Sequence, residues 1–240
     1  MHAFDALDGA VLVDKPVGFT SHDVVDIVRR QFALAKVGHC GTLDPNATGL
    51  LVLVLGRATK LSEKLMASDK VYAGTVKFGE TTDSYDADGE LTASLPVPPM
   101  SLEEINAQAA AFLGDLLQTP PMVSAVKQGG VPLYKLARKG IEVERKPRLV
   151  HIYRFQFSTY QEPLGQFEIF CTKGTYVRSL AHELGEKFGC GAHLAALRRT
   201  QSGSFDVADA IPLDQLRKLT LGELEKRVIP FLKLAGVAKT

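Results

Sequence analysis

Along the chain the spacing of apolar residues switches between two periods, and the switches mark the elements. Ala10 to Val13 is a short apolar run that reads as a strand, and Asp14-Lys15-Pro16-Val17-Gly18 behind it reads as a turn. Thr20 with Asp23 three residues later has the form of a capping box. Val24, Ile27, Val28 and Phe32 keep helical spacing after it, which predicts a helix over about Ser21 to Phe32. Leu50 to Leu55 is a continuous β-rich run ended by Gly56, and Val71 to Phe78 alternates so that Tyr72, Val76 and Phe78 share one face of a second strand. Pro96, Pro98 and Pro99 break the chain. Ser101 and Glu104 then form another capping box, with Ile105, Ala109, Phe112 and Leu113 as the apolar stripe of a helix that Gly114 closes. Gln166 to Thr172 turns Phe167, Ile169 and Cys171 inward as a strand, and Leu180 to Phe188 reads as the helix after it, making Lys173 to Arg178 a strand-to-helix junction. Beyond Thr200 a leucine-bearing helix is expected around Leu213 to Val228. Strands and helices mix without strict βαβ alternation and without a repeat of fixed period, so the expected class is α+β, a mixed sheet flanked by helices.

Composition agrees with an ordinary folded chain: 240 residues, 45% hydrophobic and 23% charged, enough for one large domain or a domain with a small appendage. The longest apolar run, Leu50 to Leu55, falls far short of the roughly 18 residues a membrane span needs. The first dozen residues carry Asp5 and Asp8 and no Lys or Arg, so a basic secretory leader is not expected and a cytoplasmic protein is. Cys40, Cys171 and Cys190 are an odd, scattered set that fits a reducing compartment rather than a disulfide framework. No C-x-x-C exists, and His182-Glu183 lacks the second histidine that a zincin helix needs, so no metal site is expected.

The formal net charge of +1 hides an uneven distribution. From Pro121 to Tyr160 there are eight basic residues, Lys127, Lys135, Arg138, Lys139, Arg145, Lys146, Arg148 and Arg154, against Glu142 and Glu144, a local +6. From Glu80 to Asp115 there are eight acidic residues and no Lys or Arg. The basic stretch, interleaved with Tyr134, Tyr153 and Tyr160, has the make-up of a phosphate-tracking surface, a reading placed ahead of the alternative, a solvated helix face. It sits between a Pro-Pro break and a strand candidate, as an inserted arm would.

The densest chemistry lies in Gly38-His39-Cys40-Gly41-Thr42-Leu43-Asp44-Pro45-Asn46-Ala47-Thr48-Gly49, a glycine-punctuated loop running straight into an apolar strand. Pro45 either holds Asp44 on a stiff extended connection or stands at the first position of a short helix that Asp44 caps. The glycines are not followed by Lys then Ser or Thr, so this is no phosphate loop. Ser84-Tyr85-Asp86-Ala87-Asp88-Gly89 lacks both ends of a calcium cage, with Ser84 first and Leu95 twelfth.

Taken together, Asp14-Lys15-Pro16-x-Gly18, the whole of Gly38 to Gly49, Ser68-Asp69-Lys70-Val71-Tyr72, Thr82 to Gly89, Lys173-Gly174-Thr175-Tyr176-Val177-Arg178 and Gly189-Cys190-Gly191-Ala192-His193 resemble the tRNA pseudouridine synthase B family, in order and spacing, from about residue 10 to 200. The resemblance implies a pseudouridine synthase fold, largely antiparallel, that isomerises the uridine at tRNA position 55 in the T arm by breaking its N1 glycosidic bond and rejoining the base through C5, with no cofactor. It makes Asp44 the catalytic aspartate, Arg178 the arginine that pairs with it and Asp86 an acidic residue that helps hold that arginine. The alternative for Asp86 is a turn residue beside Asp88-Gly89. Tyr72 matches the tyrosine that stacks on the target base. Tyr176 and Leu197 match pocket residues around the flipped uridine, and His39 a histidine that fills the space vacated in the RNA loop. Lys15 lies in a matched motif read as mainly structural. The basic arm, about 121–153, corresponds to the thumb-like segment that closes on the T arm, inside a catalytic domain of 1–202. The tail, 203–240, holds only about forty residues, too few for a core of its own, so no full-size C-terminal RNA-binding domain is expected. An RNA-binding or RNA-folding module without catalysis is the alternative, and a metal-dependent nucleotide hydrolase or deaminase lacks a ligand cluster.

Overall fold

The computed structural model describes residues 7–124, 127–133, 136, 140–141 and 143–237. Its strands, in chain order, are β1 (Gly9–Lys15), β2 (Val37–His39), β3 (Thr48–Leu55), β4 (Lys70–Phe78), β5 (Glu80–Thr82), β6 (Leu91–Ser94), β7 (Gly114–Gln118), β8 (Lys127–Gln128), β9 (Val131–Pro132), β10 (Arg148–Gln161), β11 (Leu164–Cys171), β12 (Ala192–Ser202), β13 (Phe205–Asp206), β14 (Ile211–Pro212) and β15 (Ile229–Pro230). Its helices are α1 (Ser21–Gln31), α2 (Ser62–Met66), α3 (Leu102–Ala110), α4 (Val177–Lys187), α5 (Leu213–Leu216), α6 (Leu221–Glu225) and α7 (Phe231–Val237). Contacts divide the chain into two units, Met1–Lys70 with Arg198–Thr240, and Val71–Leu197.

In the first unit β1 and β3 pair antiparallel from Gly9↔Leu55 to Lys15↔Gly49. β2 lies antiparallel on the far edge of β3, and Arg198–Arg199 pairs parallel to Thr48–Gly49. Leu50 to Leu55 are all buried, the signature of a strand covered on both faces. Leu50, Val52 and Val54 share one cluster with Ala10, Leu12, Cys40, Ala58, Leu65 and Leu234. Helix α1 starts where its sequence says, with a complete capping box between Thr20 and Asp23.

The tail differs from the expected helix over Leu213 to Val228. Two helices of four and five residues, α5 and α6, stand there instead. Thr220 and Glu223 form a fresh capping box that restarts the chain as α6, so the apolar spacing of the leucines spans two helices rather than one. The same segment supplies two Ile-Pro strands: β14 runs parallel and β15 antiparallel to β1, covering the edge that β3 leaves open.

In the second unit the strand order is β12, β4, β11, β10, β7, with β10 and β11 a long antiparallel hairpin and β7 antiparallel to β10. Helices α3 and α4 bury Ile105, Ala109, Leu180, Ala181 and Leu184 in one core with Phe155, Phe157, Phe167, Ile169 and Cys171 of the hairpin. Leu113, placed by its spacing in the stripe of α3, is 46% exposed, because the helix ends at Ala110 and the chain has already turned toward β7. The basic arm holds a small hairpin of β8 and β9 joined at Gly129-Gly130, both with positive φ (57° and 82°), a two-residue turn that glycine enters without strain. The arm closes earlier than 153: Arg148 to Ile152 pair with Gln118 to Gly114 as part of the sheet. Lys135, Arg138 and Lys139 lie outside the described residues.

Among the described residues no helix is long and apolar enough to cross a membrane. Among them, too, no three His, Cys, Asp or Glu side chains gather closely enough to hold a metal ion.

Candidate active site

Asp44 stands at the head of a turn, with the Ala47 amide donating to its carbonyl at 3.0 Å, so Pro45-Asn46 forms a β-turn and no helix is capped there. The stiff-connection reading holds, and the structure shows what stiffens it. Ser21, the first residue of α1, takes a hydrogen bond from the Leu43 amide at 2.8 Å and donates to the Leu43 carbonyl at 3.2 Å. Lys15 is fully buried, and its ammonium donates to the carbonyls of Pro16, Phe19 and Pro45 at 3.0, 2.7 and 3.2 Å. Gly18 adds its amide to the Pro45 carbonyl at 3.0 Å. Arg199, also buried, donates from Nε to the Leu50 carbonyl at 2.7 Å and from its terminal nitrogen to Gly41 at 3.2 Å, tying the two ends of the loop together. Gly49 is needed at the loop's exit: its φ is +97°, and a Cβ there would lie 2.3 Å from the Arg199 carbonyl oxygen. Asp44 itself is exposed on this anchored turn.

His39, at the end of β2, is half-buried. Burial holds its imidazole below the ordinary histidine pKa, neighbouring His22 and Arg199 push the same way, and a hydrogen bond donated by the ring to the Gly41 backbone opposes them. Both His39 and Asp44 belong to the first unit.

The other expected site residues, Tyr72, Tyr176, Arg178 and Leu197, belong to the second unit. Tyr176 is the N-cap of α4, and because its own side chain does not cap the helix, a buried glutamine fixes its backbone. Gln118 accepts from the Tyr176 amide at 2.7 Å and donates to its carbonyl at 3.0 Å. Arg178 follows in the first turn of α4, almost completely buried. Its guanidinium donates to Asp86 Oδ2 at 3.1 Å and to the Val123 carbonyl at 2.5 Å, and lies 5.8 Å from the centre of the Tyr176 ring. Asp86 is therefore the arginine's anion, and it is braced in turn by Ser84 Oγ at 2.6 Å and the Asp88 amide at 3.1 Å, both donating to Oδ1. Tyr72 on β4 and Leu197 on β12 are half-buried against the core of this unit. Arg145 donates to the Pro120 carbonyl at 3.2 Å, at the root of the arm, while Lys146 and Arg148 are exposed. Lys127 falls on β8.

Sequence reasoning missed Ser21, Gln118, Val123 and Arg199. Arg199 gave no sign of its burial because it follows another arginine. Arg198 points the other way along β12, to a two-pronged ion pair with Asp14 at 2.9 and 2.7 Å. Gln118 carried one signal, its place just before Thr119-Pro120-Pro121, where the sheet must end.

Comparison with known proteins places this architecture. A family described as TruB family pseudouridylate synthase (N terminal domain) matches residues 29–177, and one described as tRNA pseudouridylate synthase B C-terminal domain matches residues 178–232. The tRNA pseudouridine synthase B of Opitutus terrae is 55% identical over 229 residues, which are 95% of this chain and 95% of that protein. Its namesake from Bordetella avium is 47% identical over 216 residues, 89% of this chain and 88% of that one. Among solved structures, one titled as a Cbf5-Nop10-Gar1 complex superposes with a TM-score of 0.76 at 27% identity, covering 97% of this chain and 63% of that chain. The fold, a mixed and mostly antiparallel sheet with helices, is that of the pseudouridine synthases. The chain belongs to the TruB family of pseudouridylate synthases.

Proposed function

We propose that this chain converts uridine 55 in the T arm of tRNA to pseudouridine, with Asp44 acting at the sugar of a nucleotide flipped out of the RNA loop. Family membership makes the reaction class the isomerisation of a tRNA uridine. The observation that carries the residue assignment is the anchored turn. An exposed carboxylate on a loop tied down by Lys15, Ser21 and Arg199 has the rigidity that chemistry on a positioned ribose demands. The N1–C1′ bond breaks, the freed uracil turns, C5 bonds to C1′, the C5 proton leaves and N1 takes up a proton, so the step balances without oxidant or reductant. A nucleophile at C1′ and a base at C2′ both need the ionised form of Asp44, and the arginine the family places beside it favours that form. In this reading Tyr72 stacks on the extruded base, Tyr176 and Leu197 line its pocket, His39 fills the vacated place in the RNA loop, and the basic arm grips the stem through Lys127, Lys135, Arg138, Lys139, Arg145, Lys146 and Arg148. No metal or cofactor has a role.

The test is incubation with an unmodified T-arm stem-loop, followed by nucleoside analysis and mapping of the modified position, for the parent and for Asp44→Asn. The parent is expected to form pseudouridine at the position equivalent to 55. Asp44→Asn is expected to bind the RNA within about tenfold of the parent, about 1.4 kcal/mol, and to form no product. Product from folded Asp44→Asn at the parental rate would remove Asp44 from the chemistry. Binding by the parent without any product would favour the non-catalytic module.

A further inference from the structure

Arg178 and Asp86 are not the only link between α4 and the Thr82-to-Gly89 turn. Tyr85, the residue before Asp86, has φ +65°, one of only two non-glycine residues with positive φ among the described residues. A tyrosine pays a steric penalty there that glycine or asparagine would escape. Its backbone is held in that state from both sides, by the Tyr85 amide donating to Thr82 at 3.2 Å and the Leu194 amide donating to the Tyr85 carbonyl at 2.9 Å. The ring explains why a tyrosine stands in so unfavourable a place. It lies flat on the imidazole of His182, with 4.0 Å between centroids and 12° between planes.

His182 is four residues after Arg178 on α4, one turn along the same face. Two rungs therefore join the same helix face to consecutive residues of the same turn: Arg178 to Asp86 by charge, His182 to Tyr85 by stacking. His182 Nδ1 is buried and has no hydrogen-bond partner among the described residues, so the imidazole gains no orientation from a hydrogen bond at that atom and the ring of Tyr85 is the contact that sets its plane.

We infer that the Tyr85–His182 stack is a positioning pair for the proposed reaction: it holds the turn against α4 so that Asp86 meets Arg178 in the geometry the site uses. This rests on the reading of Arg178 as part of the site. The stack touches no substrate and acts only through the arginine. A brace of this kind tightens the placement of a group that works in the transition state, so its loss lowers kcat and leaves substrate capture alone.

The test measures kcat and KM on T-arm RNA for Tyr85→Gly, His182→Ala, the double variant and His182→Phe, with circular dichroism and melting to confirm folding and Arg178→Ala alongside. Tyr85→Gly removes the ring while relieving the backbone, and Tyr85→Asn, which also tolerates positive φ, stands in should the glycine variant not fold. Each single variant is expected to lose about tenfold in kcat with KM within about twofold, and the double variant to lose no more than either single, because both remove one contact. His182→Phe, which keeps a flat ring, is expected to recover to within about threefold of the parent. Parental kcat in the folded single variants, a rise in KM alone, multiplied losses in the double variant, or a phenylalanine no better than alanine would each overturn the proposal. Arg178→Ala with full activity would overturn it together with the reading of Arg178. Loss of activity in Arg178→Ala beside unaffected stack variants would overturn the stack's role alone.

Discussion

Asp44 and Cys40 stand four residues apart on one loop, and their surroundings suit them to opposite fates. Asp44 is exposed at the head of its turn, whereas Cys40 is 1% exposed and burial pushes its thiol up to about 11, with the nearby charges of Lys70 and Arg199 pulling it down less than burial lifts it. The thiolate is the reactive form, and at pH 8 a thiol with that pKa is only about one-thousandth ionised. Cys171 and Cys190 are buried as well, and neither is in a disulfide. The folded protein is therefore expected to react with none of its three cysteines during an hour of iodoacetamide treatment at pH 8, and with all three after denaturation, as counted by intact mass. Rapid labelling of Cys40 in the native state would mean that the loop opens readily and that its anchors do not hold. At this scale the sequence displayed the candidate site residues of a punctuated loop, Asp44 and His39, and of a matched motif, Arg178 with Asp86. It concealed those whose role comes from burial alone. A buried Arg199 and a buried Gln118 look like surface residues until the strands on either side are in place, because their partners are backbone carbonyls and amides that no side-chain pattern announces.

Among the elements, those with a local physical cause were the legible ones. Both capping boxes began helices where expected, and Leu50 to Leu55 was a strand because nothing but a doubly covered strand suits six apolar residues between glycines. The long strand β10 was harder to read: irregularities between Ile152 and Arg154 and between Phe157 and Thr159 shift its pairing, so its alternation slips phase along its length. Strand β12 carries Arg198-Arg199 in its middle, and the tail strands β14 and β15 have two residues each, too short for any period. The rigidity of the Gly38 to Gly49 loop belongs to this scale too, since α1, β1 and β12 supply its anchors. Lys15→Met keeps the bulk of the buried side chain and removes the charged donations to Pro16, Phe19 and Pro45, and with them one tie between the turn after β1 and the turn at Pro45. That is expected to cost about 1–3 kcal/mol and to lower Tm by several degrees, at roughly 2–4 °C per kcal/mol for a chain of this size. In thermal melts and in hydrogen exchange, the Gly38 to Gly49 amides should lose protection first. An unchanged Tm with unchanged loop protection would show that the lysine does not anchor the turn.

Across the whole molecule, a net charge of +1 is the sum of two opposed fields, an acidic stretch from Glu80 to Asp115 and a basic one from Pro121 to Tyr160. The acidic stretch is partly accounted for by structure: Asp86 meets Arg178, Glu80 meets Lys77 at 2.7 Å, and Glu104 caps α3. Among the described residues of the basic stretch, Arg145 donates to the Pro120 carbonyl and Arg154 pairs with Glu168. Lys146 and Arg148 stay exposed, and in the sequence the arm is inserted between two strands that pair with each other, β7 and β10. An inserted segment with this composition is stabilised little by its own charges, so RNA binding is the use that would justify it. Replacing Lys135, Arg138 and Lys139 together with alanine is therefore expected to weaken T-arm RNA binding and to flatten its salt dependence. If each side chain neutralises one phosphate of a duplex-like stem, the slope of log affinity against log salt falls by about 0.9 per residue, near 2.7 for the three. The measurement is a titration of labelled stem-loop at several salt concentrations, with the parent and the triple variant side by side. Because the effect is counted in released ions, it separates contact from general loosening: a variant that has merely lost fold binds less at every salt concentration with no fixed change in slope. A slope equal to the parent's, in a folded variant, would make the three residues a solvated face and shift the grip on RNA to Arg145, Lys146 and Arg148.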